Sequence, residues 1–217
     1  MNSLILKSIA LLTMIIDHYG TIFHNDVVFY RIIGRFAFPI YCFLLVEGYA
    51  HTSNVRKYAL RLLIFAFISE IPFDLAFFNE IGFKDQNIFF TLFIGLAAIY
   101  LLDNKKYNDK LIIISALILA TLLRTDYEYI GIVYILSFYK TRNMPAKKRM
   151  LTVAFIMFII NLSTGWLQHF SILSLFLIYN YNNEQGIKNK WVQIGFYAAY
   201  PVHLFIFYII KIMQVGW

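Results

Sequence analysis

Asp17 and His18 are two ionisable residues inside an apolar run that covers residues 4–23. A charged side chain near the centre of a bilayer costs roughly 2.5–3.5 kcal/mol on insertion scales. Histidine exchanges a proton near neutral pH, and a carboxylate can carry charge beside it. The pair therefore predicts acid-base chemistry or proton movement inside a membrane, with a purely structural hydrogen-bonding pair as the alternative.

Further polar residues interrupt other apolar segments. Counted at 1.5 Å per helical residue from the predicted segment ends, most of them lie at a similar depth, in the outer half of the bilayer. The residues at this depth are Asp17, His18, Arg35, Glu70, Asp74 and Asn87. His203 lies near the middle of the last segment. Because these residues come from distant parts of the sequence, all seven are candidate catalytic residues of one site.

Helical spacing predicts relations within each segment. Lys7 and His18 are eleven residues apart, so they share one helix face at a separation of about 16 Å. Asp17 and His18 are adjacent and do not face each other. We therefore expect a carboxylate from another helix, such as Glu70 or Asp74, to orient His18.

Structural roles are the alternative for several charged residues. Glu70 and Asp74 could serve only to neutralise Arg35. Arg61 lies near the predicted inner face, where its long side chain could extend to the water. Arg31 is expected at the membrane interface.

Apolar helices must position these residues. We predict nine membrane segments, with eight or ten as alternatives, because several middle segments are short. The segments are 4–23, 28–50, 58–78, 88–102, 111–123, 129–139, 150–162, 170–179 and 191–213. Pro39, Pro72 and Pro201 lie inside segments and predict kinks that free backbone carbonyls beside the polar residues.

The lysine and arginine residues predict the orientation. Of 19 in the chain, twelve lie in alternate loops, within 56–57, 105–110, 140–149 and 188–190, whereas the other loops hold three. Cytoplasmic loops carry such an excess, so the N-terminus is predicted inside. The first segment is too long for a cleavable signal peptide. The predicted fold class is all-α, a single polytopic membrane helix bundle over residues 1–217.

Composition argues against several other classes of protein. The chain is 60% hydrophobic and 14% charged, against about 25% charged residues in soluble domains. The net charge of +7 could suggest nucleic acid, but the basic residues form no stripe, so no such partner is expected. No HxxxH or CxxC spacing predicts a metal site. The single cysteine, Cys42, is expected to act as a small hydrophobic side chain.

Four stretches of sequence resemble one known family. They are LKSIALLTMIIDHYG (6–20), GRFAFPIYCFLLVEGYAHTSNVRKYALRLLIFAFISEIPFD (34–74), NIFFTL (87–92) and YPVHL (200–204). Together they resemble the TraX family of bacterial membrane proteins, which is similar to the wider group of transmembrane acyltransferases. The resemblance extends over most of the chain but is weak between 103 and 190.

This resemblance implies an enzyme of the bacterial cytoplasmic membrane. The name-giving TraX proteins acetylate the N-terminus of a pilin, and the wider group carries acyl groups from cytoplasmic acyl-CoA to acceptors on the far side. His18 would be the central catalytic residue and Arg35 would help to build the site. Lys7, Arg61 and Arg56 would lie along the path of the co-substrate, acetyl-CoA or another acyl-CoA.

The sequence does not identify the acceptor, and the candidates are a peptide N-terminus, a sugar, a lipid and a small molecule. A neutral His18 could take the acceptor's proton or relay the acyl group itself. The main alternative is a proton-coupled transporter that uses Asp17, His18, Glu70 and Asp74. A non-catalytic scaffold ranks last, because a scaffold does not need polar residues at matched depth.

Overall fold

The computed structural model describes residues 1–184, 186 and 189–215, so Lys188, one of the predicted cytoplasmic cations, lies outside the described residues. Helices dominate this part of the chain. They are α1 (Ser3–Phe23), α2 (Val28–Gly34), α3 (Ala37–His51), α4 (Val55–Phe78), α5 (Ile88–Asn104), α6 (Asp109–Leu122), α7 (Glu128–Thr141), α8 (Ala146–Asn161), a 3-10 helix (Trp166–Leu173), α9 (Ser174–Tyr179) and α10 (Lys190–Val215). The all-α prediction is confirmed for the described residues.

The predicted segment 28–50 is interrupted between α2 and α3. Pro39 has no N–H, so it cannot donate the bond that a continuous helix would make to the Arg35 carbonyl. The interruption falls at Arg35 and Phe36, and Pro39 lies in the first turn of α3. The irregularity predicted at Pro39 thus takes the form of a two-residue interruption one turn earlier. α4 and α10 continue through Pro72 and Pro201, and the kinks predicted there stay predictions.

Among the described residues, three helical segments are long and apolar enough to cross a membrane. They are Ser3–Phe23, Val28–His51 (α2 and α3 taken together) and Lys190–Gln214. Two further apolar segments, Ile88–Asn104 and Trp166–Tyr179, are shorter. A complete crossing needs about 20 apolar helical residues, so the count of nine spans stays a prediction.

Asparagine side chains begin three of the helices. Asn2, Asn87 and Asn108 precede α1, α5 and α6, and each accepts a hydrogen bond from a backbone N–H in the first turn. Such caps satisfy donors that have no helical partner and contribute about 1 kcal/mol each. The helix starts are thus set by local sequence.

The chain divides into two compact units, and the prediction of one domain stays a prediction. The first unit comprises Met1–Tyr41, Ile68–Gly82 and Thr164–Trp217. Within it α1 packs against α2 and α10, and α2 packs against the 3-10 helix. Leu6, Ala10 and Leu204 have no exposed surface in its core.

The second unit comprises Cys42–Phe67 and Phe83–Ser163. Within it α5 packs against α6 and α7, and α7 packs against α6 and α8. Its core contains the fully buried side chains of Leu96, Ile132, Tyr134 and Met157. Cys42 is buried and free, as its apolar surroundings in the sequence predict.

Candidate active site

Two histidines from opposite ends of the chain meet inside the first unit. His18 on α1 is 9% exposed and His203 on α10 is 7% exposed. Nδ1 of His18 lies 2.8 Å from Nε2 of His203, which is a hydrogen-bond distance. The rings stack with centroids 5.0 Å apart. The α1–α10 contact therefore places these two buried imidazoles together.

The hydrogen bonds of this pair assign the ring protons when both rings are neutral. Nδ1 of His203 lies 2.6 Å from the carbonyl oxygen of Ala199, which can only accept, so His203 carries its proton on Nδ1. Nε2 of His203 is then an acceptor, and His18 donates to it from Nδ1. This network leaves the lone pair on Nε2 of His18, and among the described residues the hydrogen bond of the His18 ring is the one at Nδ1.

Aromatic rings enclose the histidine pair. The ring of His18 meets the rings of Phe77 and Tyr200 edge to face, with centroids 5.3 and 5.8 Å away. His203 meets Phe207 in the same way at 5.7 Å. Such packing fixes ring orientation and keeps water away from the imidazoles.

The group that orients His18 differs from the predicted one. Glu70 or Asp74 was the expected partner, but the Nδ1 contact is made by His203. Asp74 is 1% exposed and its carboxylate accepts a hydrogen bond of 2.9 Å from the backbone N–H of Gly82. Helical spacing gives the face of each residue within its own helix, but it does not show that α10 would be the neighbour of α1.

The side chain of Asp17 forms ion pairs with two arginines, Arg31 on α2 and Arg35 directly after it. Its carboxylate lies 3.1 Å from Nη1 of Arg31 and 2.9 Å from Nη2 of Arg35. Asp17 is 8% exposed, and a buried carboxylate needs such partners. The two positive charges of the arginines also act on the imidazole of His18.

Arg35 is held at each of its nitrogens. Nε donates to the carbonyl of Arg31 at 3.2 Å, Nη1 to Oε1 of Gln168 at 3.2 Å, and Nη2 to Asp17. Gln168 belongs to the 3-10 helix and is buried. Arg35 therefore joins α1, α2 and the 3-10 helix through one guanidinium.

The close approach of α1 and α2 depends on glycine. A Cβ atom on Gly34 would lie 2.2 Å from the Asp17 side chain, and one on Gly20 would lie 2.2 Å from Cβ of Tyr30. Both positions exclude any larger residue without a shift of the backbone. Glycine at these two positions is what allows Asp17 to reach the arginines.

The remaining predicted catalytic residues have varied surroundings. Glu70 is half-buried on α4, one turn before Asp74, in the first unit. Asn87 is fully buried in the second unit, where its side chain caps α5 and donates to the carbonyl of Ala66 at 2.8 Å. These contacts give Asn87 a structural role, and catalytic roles for Glu70, Asp74 and Asn87 stay predictions.

The predicted acyl-CoA residues are basic side chains without acidic partners among the described residues. Lys7 is half-buried on α1 and makes no hydrogen bond or ion pair there. The guanidinium of Arg61 lies over the ring of Tyr58 at 5.4 Å, and its Nε is enclosed without a hydrogen-bond partner. Arg56 is exposed near the start of α4. Each is free to meet an anion.

Sequence reasoning missed Arg31 and Gln168. Arg31 was expected at the interface, yet it pairs with Asp17. Its spacing of four residues from Arg35 places both on one helix face and was the available signal. Gln168 is followed by His169 in a stretch of mixed apolar and polar residues, and no spacing links it to Arg35.

The arrangement defines a class of protein: a helical protein with apolar helices of membrane-spanning length, a buried pair of imidazoles and a carboxylate paired with two arginines. The described residues contain no group of three metal-ligating side chains. A sequence profile of the TraX family (TraX protein) matches residues 3–211, and the chain belongs to this family.

Two curated relatives are similar to parts of the chain. A probable fimbrial assembly protein FimC (serogroup H1) of Dichelobacter nodosus is 37% identical over 43% of this chain and 43% of its own length. The uncharacterized protein RP591 of Rickettsia prowazekii is 31% identical over 46% of this chain and 37% of its own. The chain thus spans less than half the length of either relative. No solved structure matches the chain.

Proposed function

We propose that this TraX-family protein is a membrane-embedded acyltransferase that transfers an acetyl group from cytoplasmic acetyl-CoA to an acceptor at the outer side of the bacterial cytoplasmic membrane. The observation that carries the proposal is the chain of hydrogen bonds from Ala199 through His203 to His18. It presents an unprotonated Nε2 on a buried imidazole, as a general base requires.

In the proposed reaction His18 alone accepts and returns the transferred proton. Nε2 takes the proton of the acceptor's hydroxyl or amine as its oxygen or nitrogen attacks the thioester carbonyl. The carbon-sulfur bond then breaks, and the imidazolium of His18 returns the proton to the CoA thiolate. A variant in which Nε2 first accepts the acetyl group itself uses the same lone pair.

The charged residues support this chemistry in separate ways. Arg35 has all its nitrogens in use within the protein, so its proposed role is to hold Asp17 and the α1–α2 contact. Lys7, on the face of α1 that carries His18 about 16 Å away, would meet a phosphate of acetyl-CoA. The same role is proposed for Arg61 and Arg56 from the resemblance to transmembrane acyltransferases.

The relatives suggest one acceptor to test. The Dichelobacter protein is by its name a probable fimbrial assembly protein, so the N-terminus of a pilus subunit is the first peptide acceptor to try. A sugar, a lipid and a small amine are the further candidates. The second candidate function, proton-coupled transport through Asp17, His18, Glu70 and Asp74, would need no acyl donor.

The test measures acetyl-CoA binding and release of free CoA by purified wild-type protein and by the His18→Ala variant. We expect both proteins to bind acetyl-CoA, and we expect CoA release to fall at least about 100-fold in the variant, since general acid-base catalysis contributes that much or more. His24→Ala, which changes an exposed histidine beyond α1, is the matched control. Undiminished CoA release by His18→Ala would contradict the proposal, and no binding of acetyl-CoA by the wild type would favour transport.

A further inference from the structure

Arg31 leaves one edge of its guanidinium unused. Nη1 contacts Oδ1 of Asp17 at 3.1 Å and also donates to the hydroxyl of Thr21. Nε and Nη2 make no hydrogen bond with any described residue, and the side chain is 29% exposed. The Nε–Nη2 edge of arginine matches two oxygens of a carboxylate or a phosphate. Arg31 is thus fixed at one nitrogen and open at the other two.

The charges of the cluster favour an anion at this edge. The single negative charge of Asp17 faces the two positive charges of Arg31 and Arg35, so one positive charge remains. Arg35 is only 14% exposed and donates to the protein from all its nitrogens. The remaining charge is therefore presented by Arg31.

We infer that the Nε–Nη2 edge of Arg31, whose Nη1 pairs with Asp17, the residue before His18, is a binding subsite for a carboxylate or phosphate group. The inference rests on the proposed function, and it names the class of acceptor: a molecule with an anionic group close to the nucleophile that His18 deprotonates. A bare ammonium acceptor would be disfavoured by the uncompensated positive charge. An anionic lipid headgroup has the same chemistry and could occupy the same edge.

The first experiment needs only wild-type protein in neutral detergent. Phenylglyoxal, which modifies accessible arginines, is applied with and without inorganic phosphate, and the sites are quantified by mass spectrometry. We expect phosphate to slow modification of Arg31 but not of Arg124, which is 62% exposed and pairs with Asp85 at 3.1 Å. Equal rates at Arg31 with and without saturating phosphate, or equal protection of Arg124, would overturn the inference.

Substitutions separate charge from geometry. Arg31→Lys keeps the charge but lacks the two-nitrogen edge, whereas Arg31→Gln lacks both. We expect the dissociation constant for phosphate, measured by ligand-induced thermal stabilisation, to rise about tenfold in Arg31→Gln and by less in Arg31→Lys. Arg124→Gln is the matched control, with no change expected. Unchanged phosphate binding in Arg31→Gln would count against the subsite.

A comparison of lipids identifies the source of the anion. In nanodiscs of phosphatidylglycerol without added phosphate, protection of Arg31 would assign the edge to a lipid headgroup. Protection that appears only with added phosphate in phosphatidylcholine nanodiscs would assign it to a soluble acceptor. Either pattern supports the subsite, and protection under neither condition would overturn it.

The inference and the proposed function fail separately. Phosphate protection of Arg31 without any release of CoA would keep the anion subsite and remove the acyltransferase. CoA release by the wild type without phosphate protection at Arg31 would support the acyltransferase and overturn the anion subsite.

Discussion

At the scale of single residues, His203 acts through His18. His203 has its own proton directed to Ala199, so it can only accept from His18, and this holds the His18 lone pair at Nε2. In an isolated neutral imidazole no hydrogen-bond partner fixes which of the two nitrogens carries the proton. The position of His203 therefore decides which nitrogen of His18 keeps the lone pair.

Substitutions of His203 test whether this residue orients the ring of His18 or only fills space beside it. We expect His203→Ala to lower the turnover number for CoA release about 10- to 100-fold with little change in the KM for acetyl-CoA, because the partner that orients the base is lost. His203→Gln, whose amide oxygen can still accept from Nδ1 of His18, should retain more activity. Steady-state kinetics of the two variants checks both expectations.

Nitrogen-15 NMR of histidine-labelled protein distinguishes this role from a structural one. Wild-type His18 should show the proton on Nδ1, and His203→Ala should show a mixture of tautomers. A His203→Ala protein that keeps the Nδ1–H tautomer at His18 would show that His203 does not position the base.

At the scale of elements, the α1–α2 contact holds the charged half of the site. Because a Cβ on Gly34 would lie 2.2 Å from the Asp17 side chain, we expect Gly34→Ala to separate α1 from α2 and to destabilise the protein by about 1–3 kcal/mol. CoA release should fall with it. Thermal unfolding in detergent measures the stability change.

Gly195→Ala on α10 is the matched control for this substitution. No heavy atom lies within 4 Å of a Cβ built there, and alanine is the better helix former. Stability should be unchanged or slightly raised. If Gly34→Ala is as stable as Gly195→Ala, the close contact between the two helices is not what holds Asp17 in place.

The second unit has an equivalent connection at one carboxylate. Asp103 near the end of α5 accepts from the hydroxyl of Tyr49 on α3 at 2.7 Å, from the hydroxyl of Tyr139 on α7, and from Arg142 at 3.3 Å. Three helix ends are therefore held at one side chain. An asparagine could not accept all three of these bonds.

We expect Asp103→Asn to lower the free energy of unfolding by about 1 kcal/mol, because three donors, among them the buried Tyr139, compete for one remaining oxygen acceptor. Asp109→Asn removes a pair with Lys140 in which both side chains are about half exposed, so little change is expected there. Thermal unfolding of the two variants, side by side, is the measurement. Equal losses would mean that Asp103 contributes no more than a surface ion pair.

Local sequence predicts more of these elements than of the contacts between them. The nine predicted apolar segments are mainly helical in the structure, with an interruption within 28–50 and 3-10 geometry at the start of 170–179. They could be predicted because length and hydropathy are properties of one segment. The partner of His18 was expected among the carboxylates of α4, yet it is His203, 185 residues away in the chain. Periodicity places a residue on a face, but only packing decides which helix covers that face.

The break between α2 and α3 shows a second limit. Pro39 signalled an irregularity, but hydropathy alone gave one continuous segment. The break turns Arg35 into the residue after α2, with helical backbone angles and its N–H bonded back to Arg31. Hydropathy therefore predicts the extent of the apolar segment but not the position of its interruption.

At the scale of the whole molecule, orientation in the membrane decides which side the acceptor must come from. The excess of basic residues predicts that the α5–α6 loop lies in the cytoplasm and the α4–α5 loop outside. His18 lies fifteen residues after the start of α1 at Ser3 and five before its end at Phe23. An inside N-terminus therefore places the proposed base nearer to the outer surface.

Single cysteines test this orientation. In a Cys42→Ala background, Phe83→Cys lies at a side chain that is 91% exposed, and Lys106→Cys lies at an exposed position in the α5–α6 loop. We expect a membrane-impermeant maleimide to label residue 83 in intact cells and residue 106 only after permeabilisation. Labelling of both from one side would mean an even number of crossings between residues 83 and 106 instead of the single crossing predicted there. The reverse pattern would place His18 nearer to the cytoplasm. In that case donor and acceptor would meet from the same side, and transfer across the bilayer would no longer be required of this site.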